Sequence, residues 1–225
     1  MLLTAAIANE QQEDAAAARH YWEKGLKLDP KNVALSLGLA RLEAREKHLD
    51  QAEAVLRQAF QVNPSLDLAF ELADTLILQD KVEGKDQAGD YIAQLRTAGC
   101  GDTYVRYLEA RIPFQRKQWA EAIRPIEMAR SALASDSRLT TQLNLMLAEC
   151  YGRVGCVEQR LSTLRQVAEG EGTPDVARIE LAQALGQSGK LHQAIATLLP
   201  LAERRPELRL DLVRFLIQKT SRQLQ

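Results

Sequence analysis

A chain of 225 residues with 46% apolar and 26% charged side chains has enough of both to close around a packed core, which excludes wholesale disorder. Twenty-nine basic residues against thirty acidic ones leave a formal charge of -1, so no global field draws in phosphate backbones, and nucleic acid is not an expected partner. No apolar run reaches the ~20 residues that span a bilayer, so no direct membrane insertion is expected, and the odd set Cys100, Cys150 and Cys156 fits a reducing, cytoplasmic setting better than a disulfide framework.

In chain order, Met1-Leu2-Leu3-Thr4-Ala5-Ala6-Ile7-Ala8 lacks the basic n-region of a signal peptide and reads as helix. Between Asn32 and Arg45 the residues Val33, Leu35, Leu37, Leu39, Ala40 and Leu42 cover more than one narrow stripe, the pattern of a helix held between neighbours. Asp29, Asn63, Asp102 and Asp175 stand near helix starts, where a short polar side chain can accept an orphan backbone N–H. Val82-Glu83-Gly84-Lys85-Asp86 reads as an insertion that lengthens one turn. Pro113, Pro125 and Pro200 fall inside predicted helices, where a missing donor and a clash with the preceding turn predict local kinks. Gly155 and Gly189 can adopt the left-handed conformation that ends a helix. Every apolar-periodic segment reads as helix and none as strand, so the expected fold is all-α.

The helices recur. Leu28-Asp29-Pro30 returns as Val62-Asn63-Pro64 at a spacing of 34 residues, each with an alanine, Ala18 or Ala52, twelve residues before the proline. Gly155 and Gly189 also stand 34 apart, preceded at equal distance by Ala148-Glu149-Cys150-Tyr151 and Ala182-Gln183-Ala184-Leu185. This pattern resembles the tetratricopeptide repeat, two helices in which a small residue of the first and an alanine of the second allow close approach. Leu39-Ala40, Ala52, Leu56 and Ala59 fill those places in one hairpin, and Leu181-Ala182, Leu185, Ala194 and Leu198 in another. Trp119-Ala120-Glu121-Ala122-Ile123, followed by Ile126 and Ala129, resembles the second-helix signature. The resemblance implies a right-handed α-solenoid, one domain over residues 1–225. Its hairpins fall at about 1–30, 31–64, 65–101, 102–138, 139–174 and 175–206, with a capping helix at 207–225. Arg160 stands where the fifth hairpin should carry its close-contact alanine, and Glu43 replaces an aromatic.

Chemistry is sparse along this chain. His20, His48 and His192 have no second ligand at metal spacing, and Cys150 with Cys156 is neither a redox nor a zinc pair. Gly170-Glu171-Gly172-Thr173 lacks the lysine and preceding strand of a phosphate loop. No catalytic residue, metal or cofactor is expected, and the chain reads as a non-enzymatic protein–protein interaction module or scaffold.

What the resemblance adds is a concave groove lined by first helices, along which a peptide or helix of a partner protein lies. Carried over by position, the groove residues are Arg41, Glu71 and Thr75, then Tyr104, Tyr107, Arg111 and Phe114, then Glu149, Arg153 and Gln183. The spacing of Tyr104, Tyr107, Arg111 and Phe114 sets them along one helix face, with Arg111 available to a partner carboxylate. A second reading makes the chain the repeat segment of a larger multidomain protein, and exposed terminal helices leave self-association open.

Overall fold

The computed structural model describes residues 2–11, 14–99, 102–133, 137–170 and 175–223. All its long elements are helices: α1 Leu2–Gln11, α2 Ala15–Leu28, α3 Val33–Arg45, α4 Leu49–Val62, α5 Leu66–Leu78, α6 Ala88–Thr97 and α7 Asp102–Gln115. They continue as α8 Trp119–Ala132, α9 Ser137–Arg153, α10 Val157–Ala168, α11 Asp175–Gln187, α12 Leu191–Arg204 and α13 Arg209–Gln223, with a short 3-10 turn at Pro206–Leu208. Among the described residues there is no strand, and no helix is long and apolar enough to cross a membrane. The chain divides into two compact units, Met1–Arg116 and Lys117–Gln225.

The expected helix starts at Asp29 and Asn63 are corrected: both residues end the preceding helix, their backbone N–H groups donating to Gly25 and Ala59. The proline that follows each one bars it from the helical region, so the helix stops there. The true N-caps lie two residues farther on or more. Asn32 accepts from the Leu35 N–H at 3.2 Å and Ser65 from the Leu68 N–H at 3.3 Å. Gly155 and Gly189 do take positive φ, at 81° and 78°, but so do Lys47, Asp80 and Lys117, at 66°, 56° and 58°. The same wrapped hydrogen bond closes four of these turns: His48 N–H to Glu43 O, Lys81 to Leu76, Cys156 to Tyr151 and Lys190 to Leu185, at 2.8–2.9 Å. The helices α7, α8 and α12 run unbroken through Pro113, Pro125 and Pro200.

In the first unit, Ala6, Ala18, Trp22, Leu35, Leu39 and Leu42 form one buried cluster. Gly38 matters here, because a Cβ on it would stand 2.5 Å from the Trp22 ring. The inserted turn before α6 is tied back to α4: Arg57 donates to the Asp86 carbonyl at 2.9 Å, and Lys81 pairs with Glu53 at 2.7 Å. Glu43 is buried, accepting from Arg19 Nε at 2.5 Å and bonding His48 Nδ1 at 2.8 Å. In the second unit, Ala148, Leu161, Leu164, Leu181, Ala184, Leu185 and Ala194 pack together. Farther along, Ala182, Leu198, Leu201, Ala202 and Leu208 are covered by Leu212 and Phe215 of α13. Ala18, Ala52, Ala122 and Ala194, each on a second helix, are all fully buried, as close helix approach requires.

Candidate functional site

Five residues occupy one position, six before the left-handed turn residues Lys47, Asp80, Lys117, Gly155 and Gly189: Arg41, Asp74, Arg111, Glu149 and Gln183. Four of them are among the expected groove residues. Asp74 escapes the sequence pattern because a uniform spacing of 34 from Arg41 points to Thr75, while the turns at Lys47 and Asp80 stand only 33 apart. The turn residue is the signal that finds it, and that signal is faint because Asp80 is not a glycine.

In the first unit these charges neutralise one another across neighbouring first helices. Arg41 Nε donates to Glu71 Oε1 at 2.6 Å, and Arg111 Nε pairs with Asp74 Oδ1 at 2.9 Å. Two candidates are corrected by burial. Thr75 is enclosed, its hydroxyl donating to the Glu71 carbonyl at 2.8 Å. Tyr107 is 1% exposed, its ring beside Phe70 and its phenolic oxygen accepting from Arg111 Nη1 at 2.6 Å. Burial works against the Arg111 charge, but Asp74 and Tyr107 outweigh it and hold the guanidinium above its ordinary range. So Tyr104, Tyr107, Arg111 and Phe114 are not one open patch. Tyr104 is exposed, stacked edge-on to Phe70 at 5.7 Å, whereas Phe114 is half-buried.

In the second unit the three expected residues converge. Glu149 and Arg153 of α9 and Gln183 of α11 line a cleft of about 500 Å³ together with Gly152, Arg160, Glu180 and Gln187. Arg153 Nη2 reaches Glu149 at 3.4 Å and its guanidinium lies over the Trp119 ring at 5.5 Å. Arg160, the departure from the repeat, lies along Gly152, where a Cβ would stand 3.1 Å from its Cδ, and donates to Gln187 Oε1 at 2.8 Å. The missing alanine is thus compensated by a glycine on the facing helix, and the arginine head is delivered into the cleft. Glu180 is half-buried beside it; burial pushes its carboxyl above the ordinary range, Arg160 opposes this and Glu149 adds to it. Cys150, which neighbours Glu149 on α9, is buried, which pushes its thiol up to about 11. Among the described residues, no group of three or more His, Cys, Asp or Glu is placed to hold a metal ion. Cys100 and Glu171 to Pro174 lie outside the described residues.

Helical hairpins joined by left-handed turns and stacked through small residues define an α-helical repeat scaffold of the solenoid class. Within that class, residues 10–67 match the profile of the tetratricopeptide repeat family. The fold is similar to that of a tetratricopeptide repeat protein from Parabacteroides merdae, with TM-score 0.69 at 14% identity, covering 96% of this chain and 83% of that one. Yeast Tom70 is similar with TM-score 0.70 at 16% identity, covering 97% of this chain and 47% of that one. The APC/C hetero-tetramer Cut9-Hcn1 contains a chain with TM-score 0.67 at 16% identity, covering 96% of this chain and 42% of that one. This chain therefore spans less than half the length of the latter two. No curated protein sequence matches it.

Proposed function

We propose that the chain is a non-catalytic scaffold that holds an extended or helical segment of a partner protein against the first-helix face of its second unit. The observation that carries this reading is the cleft where Glu149, Arg153, Arg160, Glu180 and Gln183 meet, because it offers donors and acceptors of both signs on rigid helices. A mixed-charge lining suits a polypeptide, with its amides and side chains of either sign, better than a phosphate backbone, which asks for uniformly basic surface. In the first unit, Arg41 and Tyr104 are the groove candidates that stay exposed, and Arg41 is already bridged to Glu71.

The test is affinity capture of partners from the native lysate, followed by calorimetry on the identified partner with wild type and with Arg153→Ala combined with Gln183→Ala. Both residues are exposed, so circular dichroism and melting temperature stay unchanged while affinity falls by about tenfold. Gln58 and Gln61 on α4 are the matched controls; Arg57 is unsuitable because it anchors the inserted turn. Unchanged affinity in the double variant removes the cleft from the binding surface. A second reading makes the chain the repeat segment of a longer polypeptide, in keeping with the shares of Tom70 and the Cut9-Hcn1 chain that it spans. The mass of the native product on an immunoblot decides between the two.

A further inference from the structure

The helix α13 is amphipathic twice over. Leu212 and Phe215 face the buried clusters of α11 and α12, but Leu210, Val213, Leu216 and Ile217 point the other way and are 72%, 49%, 44% and 61% exposed. Spacings of three, three and one put these four on one stripe. Such a run of large exposed apolar side chains on a single helix marks an interaction site more than ordinary surface scatter.

Register says what does not cover it. Thirty-four residues before Leu216 stands Ala182, the small residue that lets α12 approach α11 closely. A leucine in that place would overpack against a second helix of the same kind, so the stripe is not shaped for another hairpin of this repeat. Charge says what would suit it. The helix carries Arg209, Arg214, Lys219 and Arg222 against one acid, Asp211, already paired with Arg214 at 3.2 Å, while the rest of the chain is acidic overall. Two copies meeting through this face would bring like charges together. The stripe offers no Trp or Tyr to seat in a bilayer interface.

We infer that the outer face of α13 docks an amphipathic helix of a partner protein whose apolar stripe is flanked by acidic side chains. The inference deepens the scaffold reading by naming a second contact surface and the chemistry of its ligand, and it stands apart from the cleft residues. Leucines and isoleucines of the partner lie against Leu210, Val213 and Ile217, and its flanking carboxylates meet Arg214 and Arg209 at the border of the stripe.

The probe is a synthetic, fluorescein-labelled amphipathic helix with a leucine stripe flanked by glutamates, set against a matched peptide with lysines in their place. Fluorescence anisotropy with the full chain is expected to show about tenfold tighter binding of the glutamate peptide. Leu210→Ser combined with Ile217→Ser weakens that binding by about tenfold or more without changing circular dichroism or melting temperature, because both side chains are already exposed. Arg214→Glu reverses the preference between the two peptides. Equal binding of both peptides, no binding of either, or binding untouched by the substitutions overturns the inference. So does a concentration-dependent dimer in sedimentation equilibrium that the double substitution abolishes, which makes a second copy the occupant. Co-sedimentation with phosphatidylcholine–phosphatidylserine vesicles without peptide binding overturns it in favour of a membrane surface. If the α13 variants bind the natural partner normally while Arg153→Ala with Gln183→Ala does not, the cleft reading survives alone.

Discussion

Gly186 of α11 lies under the ring of Phe215 from α13. A Cβ added there would stand 2.3 Å from Phe215 Cε1, 2.7 Å from Cζ and 3.0 Å from Cδ1. Ordinary carbon contacts begin near 3.4 Å, so Gly186→Ala requires the ring, or α13 with it, to retreat by about 1 Å. At an open position in a helix the same change would stabilise by about 1 kcal/mol, since glycine is a poor helix former. Overpacking costs about 1–3 kcal/mol, so the expected balance is a loss of about 1 kcal/mol, seen as a melting temperature about 2–4 °C lower. The assay is thermal and guanidinium unfolding of Gly186→Ala, Phe215→Ala and the double variant. If the ring is the obstacle, the Gly186→Ala change becomes neutral or stabilising once Phe215 is truncated, with a coupling of about 1–3 kcal/mol. A higher melting temperature for Gly186→Ala alone, or strict additivity in the cycle, refutes the placement of α13 against α11.

Arg111→Glu sets a second carboxylate against Asp74 where both side chains are less than one-fifth exposed, and should cost about 2–4 kcal/mol; an unchanged melting temperature would return Arg111 to a surface role. Glu43→Gln should cost about 1–3 kcal/mol near neutral pH. Burial tends to raise the Glu43 carboxyl, but hydrogen bonds from Arg19 and His48 hold it below its ordinary value of 4.5, so its contribution is complete above that value and is lost as pH falls through the lower folded value. The gap in melting temperature between wild type and Glu43→Gln therefore narrows below that pH, and a constant gap down to about pH 3 speaks against the ion pair. Ala52→Leu and Ala194→Leu each overpack a fully buried contact and should cost about 1–3 kcal/mol, read by urea denaturation; no loss in either would mean the helices do not meet there. Alkylation followed by mass spectrometry should label Cys156 well before Cys150, whose thiol is buried and raised to about 11; equal rates would show that Cys150 is reached by solvent.

The repeat is written in the amino acids because close approach of the two helices of a hairpin calls for a small residue at the contact, and four hairpins place an alanine there. Ala18, Ala52, Ala122 and Ala194 are legible as close contacts without any coordinates, and so are the left-handed glycines at 155 and 189. The shared helix face is legible where that spacing holds, and Glu149, Arg153 and Gln183 do line one cleft. It is not legible in the third hairpin. There the turns shift from 33 to 37 residues apart, and each residue of slip rotates a helix face by about 100°, enough to exchange Asp74 for the buried Thr75. Only the tertiary structure decides the contacts between helices. Arg111 with Asp74, Arg160 along Gly152, and Phe215 over Gly186 join residues 8 to 37 apart whose pairing depends on how one helix is turned against the next. A one-dimensional pattern states that a helix has an apolar side, but not which neighbour each polar residue at its edge will meet.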